Sequence, residues 1–149
     1  MEEGRREKRM DYRDKIKRWN DINIGDKTTF TKTMTETDVI IWAGLTGDMN
    51  PVHIDKEYSK NTRFGSCLIP GVLVQGLIST TMTQLTFGNV YANQIIKFIK
   101  PVFIGDTVTA IAQVIEKNEE NHMVKVGTKC INQNEELLII GEGMEYILP

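Results

Sequence analysis

The stretch that most restricts the fold is Gly71–Phe87, GVLVQGLISTTMTQLTF, which is apolar almost all round. A helix without a polar face has to be buried, and Pro70 suits the position just before a helix start. A chain of 149 residues is long enough for one domain with a sizeable core around such a helix. The sequence therefore predicts one domain built around a central, buried helix.

Strand patterns account for most of the remaining apolar residues. β-Branched residues dominate five runs that are bounded by Gly, Pro, Asn and Asp: Asp26–Met34, Gln94–Lys100, Asp106–Glu116, Met123–Gln133 and Leu137–Ile147. The last four recur at intervals of about a dozen residues, which indicates an antiparallel meander of long strands. We therefore predict an α+β fold in which a strongly curved antiparallel sheet wraps the central helix.

Shorter helices and loops connect these elements. Thr35 or Thr37 is a candidate N-cap for a helix that Gly44 and Gly47 weaken towards its end. Asp55 can cap a short polar helix that reaches Asn61. Gly, Ser and Pro predict a loop over 64–70, and a second loop is expected over 87–93.

The first 20 residues differ in composition from the rest. Residues 1–19 carry eight Lys or Arg and five Asp or Glu side chains and few apolar ones. We predict a charged N-terminal extension over 1–20 and a single domain over 21–149. The extension is expected to be a solvated arm or helix; alternatively, it docks Met10, Ile16 and Trp19 on a neighbouring surface.

Composition narrows the range of partners. The net charge is −2, which favours neither nucleic acid nor an anionic membrane as a partner. The apolar runs are too short to span a bilayer, and the N-terminus lacks the apolar core of a signal peptide. Cys67 and Cys130 form no close pair, so reduced thiols are expected, although the two could bridge. We expect a soluble, cytoplasmic protein.

Residues with chemical potential concentrate in Leu45–Asp55, where Gly47 and Pro51 indicate a sharp turn. Such a turn can direct Asp48 and His53 into one cavity, and a carboxylate beside an imidazole can perform acid–base chemistry on water. Taken singly, Asp48 and Asn50 are also typical turn residues, and His53 could be a hydrogen-bonded histidine under the sheet. Their density favours a catalytic site.

This stretch resembles a known family. The segment 42–55, WAGLTGDMNPVHID, follows the signature Tyr/Phe-x-x-Leu-Ser/Thr-Gly-Asp-x-Asn-Pro-Leu/Val-His-x-Asp of the MaoC-like, (R)-specific enoyl-CoA hydratases, with Trp42 in the aromatic position. The resemblance covers about residues 25–147 and includes Phe64-Gly65 and the segment Phe98–Val108. It implies a hot-dog fold, in which two subunits pair into one continuous sheet.

The resemblance also implies a reaction, the reversible syn addition of water to a trans-2-enoyl-CoA. Asp48 and His53 would hold and activate the water, and Asn50 would support it or orient the pair. The N–H of Gly71 would polarise the thioester carbonyl. The implied substrate pocket includes three further residues: Phe64, Pro70 and Val72. Proline stands at 70 where the family usually has histidine, which removes an N–H donor and an imidazole from the wall.

Other functions remain open at this point. A hot-dog thioesterase usually carries a carboxylate on the central helix, whereas Gly71–Phe87 contains no Asp or Glu. A 3-hydroxyacyl-ACP dehydratase or a non-catalytic acyl-thioester binding module would use the same pocket. The expected partners are acyl-CoA or acyl-ACP and a second copy of the chain, with a higher oligomer left open.

Few features favour other ligands. His53 and His122 lie far apart in the sequence, no Cys/His cluster occurs, and no glycine-rich phosphate loop is present, so neither a metal nor a cofactor is expected. The phosphates of CoA would then need surface cations, for which Arg63, Lys97 and Lys100 are candidates.

Overall fold

The structure is a computed structural model that describes residues 11–149. Four α-helices are present in this part of the chain: α1 (Glu36–Thr46), α2 (Pro51–Ile54), α3 (Lys56–Lys60) and α4 (Gly71–Leu85). Five strands complete the fold: β1 (Lys27–Thr33), β2 (Val90–Phe98), β3 (Thr107–Asn118), β4 (Met123–Ile131) and β5 (Leu137–Tyr146). Two 3-10 helices, Tyr12–Lys15 and Trp19–Asp21, precede them.

The strands form one five-stranded antiparallel sheet in the order β1-β3-β4-β5-β2, which leaves β1 and β2 as its edges. Helix α4 packs against this sheet, chiefly on β1 and β3. Burial of apolar side chains from both layers is the main stabilising term. The buried side chains of α4 are Val74, Leu77, Ile78, Thr81, Met82 and Leu85. The predicted α+β architecture, a sheet around a central helix, is confirmed.

The predicted four-strand meander is wrong at β2. Strands β3, β4 and β5 follow one another, but β2 pairs with β5 instead of β3. The segment after β2 is bonded to the loop before α4. The carbonyl of Val102 accepts a hydrogen bond from the amide of Ile69, and Phe103 forms an isolated β-bridge with Leu68. The connection therefore passes beside the start of α4 and does not turn back as a hairpin.

Two element boundaries also differ from the prediction. Strand β2 begins at Val90, inside the expected loop, and a bulge between Tyr91 and Asn93 keeps its pairing with β5. Helix α4 ends at Leu85, and both the amide and the hydroxyl of the following Thr86 donate to the carbonyl of Met82.

The segment between β1 and α4 is a series of capped helices. Thr35 caps α1 through a reciprocal capping box with Asp38. Gly47 ends α1 with a φ of 80°, a left-handed conformation that glycine adopts without a steric penalty. Asn50 caps α2, and Asp55 caps α3, as its sequence position predicts. His53 therefore lies on a short helix just after the turn.

Part of the predicted N-terminal extension packs on this chain's own domain. Trp19 packs against the core, with the Nζ atom of Lys117 4.5 Å above its ring. The backbone of Lys17 bonds to Phe87 and Asn89. Met10, named with Trp19 as a docking residue, lies outside the described residues. The domain boundary at residue 20 stays a prediction.

Two observations bear on the expected surroundings of the protein. Within residues 11–149, no helix combines the length and apolar character that a bilayer crossing requires. Cys67 and Cys130 are both buried and free, so they do not form the bridge that was left open.

Candidate active site

A cavity of about 380 Å³ opens at the start of α4. Its walls are mainly apolar, and the loop before α4, the first turns of α4 and the connection after β2 contribute to them. The lining residues are His53, Arg63, Phe64, Leu68, Ile69, Gly71, Val72, Val74, Phe98, Ile99, Lys100, Pro101, Val102 and Ile139. An apolar cavity with one imidazole can hold an apolar ligand next to a group capable of acid–base chemistry.

The imidazole of His53 is fixed in orientation. Its Nδ1 atom lies 2.8 Å from the carbonyl oxygen of Leu68, and the residue is half-buried. A carbonyl only accepts hydrogen bonds, so Nδ1 carries the hydrogen, and Nε2 of the neutral ring is left with a lone pair. His53 is therefore oriented to accept a proton through Nε2.

Asp48 and Asn50 do not line this cavity. Both are exposed, and both make short-range contacts: Asp48 Oδ1 accepts from the amide of Asn50 at 3.3 Å, and Asn50 Oδ1 accepts from Val52 at 3.4 Å. These are the contacts of turn and cap residues. Of the three predicted catalytic residues, the single chain places only His53 in the cavity.

The start of α4 presents backbone donors to the cavity. The amides of Leu73 and Val74 donate to the carbonyl of Pro70. The N–H groups of Gly71 and Val72 come earlier in the helix and have no acceptor within it. Such N–H groups, together with the positive end of the helix dipole, stabilise negative charge. Gly71 lines the same cavity as His53.

The ring of Phe98 lies directly against Gly71. A Cβ atom added at Gly71 would come within 2.5 Å of Cε1 of Phe98. Only glycine fits this approach without displacement of the ring. Phe98 ends the edge strand β2, is 53% exposed and lines the cavity.

The other predicted pocket residues take different positions. Phe64 and Val72 line the cavity, whereas Pro70 is the buried N-cap of α4 and is not a lining residue. Arg63 and Lys100 line the mouth, with the Arg63 guanidinium 4.8 Å from the centre of the Phe64 ring. Lys97 is exposed and is not a lining residue.

Charges near the mouth are partly paired. Lys100 forms an ion pair with Glu136 and thereby lowers the pKa of that carboxyl, with a further contribution from Asn132. Within residues 11–149, no group of three His, Cys, Asp or Glu side chains converges as metal ligands do.

With this geometry established, the comparisons with known proteins identify the family. The MaoC-like domain matches residues 20–135. The chain belongs to the MaoC-like dehydratase family. This match extends over most of the sheet, α4 and every residue of the cavity except Ile139.

Relatives of this MaoC-like chain include hydratases and dehydratases. An (R)-specific enoyl-CoA hydratase of Rhodospirillum rubrum is 39% identical over 114 residues, covering 75% of this chain and 79% of the relative. A mitochondrial 3-hydroxyacyl-[acyl-carrier-protein] dehydratase of Solanum lycopersicum is 36% identical over 125 residues, covering 83% and 76%. These two relatives are named for substrates on different acyl carriers, CoA and acyl carrier protein.

Solved structures agree with the fold. The (R)-hydratase of Aeromonas caviae involved in PHA biosynthesis superposes with a TM-score of 0.81 and 29% identity, covering 85% of this chain and 98% of that chain. The R-hydratase PhaJ1 of Pseudomonas aeruginosa gives the same TM-score and identity, covering 87% and 84%. The hot-dog fold expected for this MaoC-like chain is confirmed.

Two features of the site were missed by sequence reasoning. The carbonyl of Leu68 orients His53, but every residue has a backbone carbonyl, so the identity of residue 68 does not reveal this role. Phe98 was noted only as part of a family segment, and its contact with Gly71 joins residues far apart in the sequence. Neither contact had a local signal that could have revealed it.

Proposed function

We propose that this chain is an (R)-specific enoyl-CoA hydratase that adds water reversibly to trans-2-enoyl-CoA and yields (R)-3-hydroxyacyl-CoA. The observation that carries the proposal is that His53 and the start of α4 line one apolar cavity. The two groups supply the two needs of the reaction, a base for water and donors for a developing oxyanion.

The mechanism assigns a role to each group. The thioester carbonyl binds the N–H of Gly71, which withdraws electron density from C3 of the enoyl group. Water bound at Nε2 of His53 attacks C3, and its proton passes to that nitrogen. The protonated His53 then delivers this proton to C2 from the same face. This step completes a syn addition, restores the neutral imidazole and places the atoms of one water molecule in the product.

Asp48 and Asn50 complete the site in this proposal. Asp48 holds the attacking water together with His53, and Asn50 supports it or orients the pair. Asp48 is exposed in the single chain, and its neighbours Leu45 and Met49 are exposed apolar side chains. A second copy that covers these side chains would also enclose the Asp48 carboxylate.

We infer a homodimer from the edge strand β2. Its side chains Val90, Ile95 and Phe98 are exposed, although long apolar edges are normally covered or paired. Pairing of β2 with its counterpart in a second copy would satisfy the free backbone groups of both edges and continue the sheet. A higher oligomer remains compatible with this pairing.

The partner carrying the acyl group is CoA in this proposal, and acyl carrier protein is the alternative. The tomato relative acts as a 3-hydroxyacyl-[acyl-carrier-protein] dehydratase by name, and dehydration is the same chemistry in reverse. Arg63 and Lys100 at the cavity mouth are the candidates for phosphate contacts. The cytoplasm is the proposed location, supported by the two free thiols.

The experiment is the loss of enoyl absorbance from crotonyl-CoA. We expect hydration by the wild type and losses of about 10²- to 10⁴-fold for Asp48→Asn and for His53→Ala. His122→Ala is the matched control, because His122 is outside the cavity. Absence of hydration, or full activity of both site variants, would contradict the proposal, and release of free CoA thiol would instead indicate a thioesterase.

A further inference from the structure

The helix that carries His53 is too short to hold its own position. Helix α2 has four residues, and helices of this length are not stable without tertiary contacts. The location of the imidazole must therefore depend on hydrogen bonds from outside α2.

One such contact is a buried hydroxyl on α3. Ser59 is 0% exposed. Its Oγ atom lies 3.2 Å from the carbonyl oxygen of Val52 and 3.3 Å from that of Pro51, so its single hydrogen is shared between two carbonyls of α2. A buried hydroxyl that meets two carbonyls of one short helix fixes that helix relative to α3.

A thiol supports this hydroxyl from the other side. Cys67 is 6% exposed, and its Sγ atom lies 3.4 Å from Ser59 Oγ, to which it donates. The hydroxyl thus accepts from Cys67 while it donates to α2. This relay joins the loop before α4 to α3 and α2 in the interior.

The relay ends at the residues that orient the imidazole. The carbonyl of Val52 also accepts from the amide of Leu68 at 3.0 Å. The carbonyl of Leu68 then accepts from Nδ1 of His53 at 2.8 Å. Loss of the Ser59 hydroxyl would leave α2 held by fewer bonds, so that its position relative to Leu68 would be less closely fixed.

We propose that Ser59, supported by Cys67, is a positioning residue that keeps Nδ1 of His53 on the Leu68 carbonyl and Nε2 directed into the cavity. Its catalytic consequence rests on the proposed function, since it requires His53 to act as the base. The effect of Ser59 on the orientation of the imidazole does not depend on the proposed function, and it can be measured without any substrate.

The first test is the tautomer of His53, observed through long-range ¹H–¹⁵N couplings of the imidazole ring by NMR. His122→Gln assigns the two histidine signals. We expect the Nδ1–H tautomer in the wild type and a mixture of tautomers in Ser59→Ala. A pure Nδ1–H tautomer in Ser59→Ala would overturn the proposal.

The second test is kinetic and uses crotonyl-CoA. We expect kcat of Ser59→Ala to fall by about 10- to 100-fold, because small misplacements of a catalytic group have effects of this size. KM should stay near the wild-type value, and the pH profile of kcat/KM should differ from that of the wild type. An unchanged kcat and profile would overturn the proposal, whereas inactivity of the wild type would count against the proposed function alone.

Controls separate positioning from general stability. Thr81→Val removes another fully buried hydroxyl, one that donates to Ile78 within α4, and should lower Tm without a change of tautomer or pH profile. Cys67→Ala should show a smaller version of the Ser59→Ala effect, and Cys67→Ser should restore the wild-type tautomer. If Ser59→Ala does not fold, the two Cys67 variants test the proposal instead. Identical His53 tautomers in Cys67→Ala and Cys67→Ser would overturn it.

Discussion

The Nδ1 atom of His53 lies 2.8 Å from the carbonyl oxygen of Leu68. This contact sets the tautomer of the ring, because only a protonated Nδ1 can donate to a carbonyl. It joins His53, which the sequence motif singles out, to the carbonyl of Leu68, which no sequence motif identifies.

The first prediction distinguishes the role of His53 Nε2 as a base from the role of its Nδ1 hydrogen bond to Leu68. In His53→Asn the side-chain amide can still donate to Leu68, but no group remains at the position of Nε2. We expect hydration of crotonyl-CoA to fall by about 10²- to 10⁴-fold with Tm close to that of the wild type. In His53→Ala the Leu68 carbonyl also loses its donor, which costs about 1–3 kcal/mol of stability if the group stays dry. Equal Tm values for the two variants would count against this role of the contact.

The second prediction concerns the contact between Gly71 and Phe98. Gly71→Ala would place a Cβ atom 2.5 Å from Cε1 of the ring, so either Phe98 or the helix start must move. We expect a loss of about 1–3 kcal/mol in stability and a lower kcat/KM. Chemical denaturation and the hydration assay measure these two effects.

The matched control for that variant is Gly76→Ala on the same helix, where an added Cβ meets nothing within 4 Å. Alanine should there increase stability by roughly 0.5–1 kcal/mol through helix propensity. Adding Phe98→Leu to Gly71→Ala should restore part of the lost stability. If it does not, the clash with the ring is not the cause.

The third prediction is a pH dependence that arises from Glu145 on β5. This carboxyl is 2% exposed, and its Oε2 atom has no hydrogen-bond partner within residues 11–149. Burial raises its pKa from 4.5 to about 7, against a smaller lowering effect of a hydrogen bond with Thr86. Because the folded state binds this proton more tightly than the unfolded state, its stabilising contribution is complete below pH 4.5 and is lost as pH rises to about 7.

Glu145→Gln should therefore increase the free energy of unfolding more at pH 8 than at pH 5, because the amide stays neutral at both. Urea unfolding at the two pH values is the measurement. Glu142→Gln is the control, since Glu142 is an exposed residue of the same strand. A pH-independent difference between Glu145→Gln and the wild type would show that Glu145 does not titrate in this way.

The fourth prediction concerns the edge strand β2. Ile95 is 72% exposed on that strand, and Ile95→Lys would place a charge in the proposed dimer interface. We expect a shift from dimer to monomer in sedimentation velocity and a parallel loss of hydration activity. Ile24→Lys, at a residue that is 66% exposed before the other edge strand, should remain dimeric. A wild-type monomer, or a dimeric Ile95→Lys variant, would contradict the inferred interface.

The sequence predicted those parts of the fold that local pattern controls. Helix α4 was visible because its residues are apolar all round, and β3, β4 and β5 were visible as separated β-branched runs. The pairing of β2 with β5 was not, because it depends on the contacts of Val102 and Phe103 with the loop before α4. Such contacts join distant residues and leave no periodic signal.

The candidate site likewise has features that the sequence predicts and others that depend on contacts in the folded chain. The types and spacing of Asp48, Asn50 and His53 predicted acid–base chemistry, and the structure places His53 and Gly71 in one cavity. The direction of the Asp48 side chain was beyond the sequence, because it depends on packing around an exposed turn. The supporting residues Ser59 and Leu68 were invisible for a similar reason, since their contribution comes from contacts made after folding.

In the proposed mechanism, this chain adds water to an enoyl thioester through His53. The most direct measurement is hydration of crotonyl-CoA in deuterated water, with the configuration of the product determined at both C2 and C3. We predict (R)-3-hydroxybutyryl-CoA with deuterium and hydroxyl added to the same face, and loss of this product in His53→Asn. An (S) product, anti addition, or undiminished product from His53→Asn would contradict this mechanism.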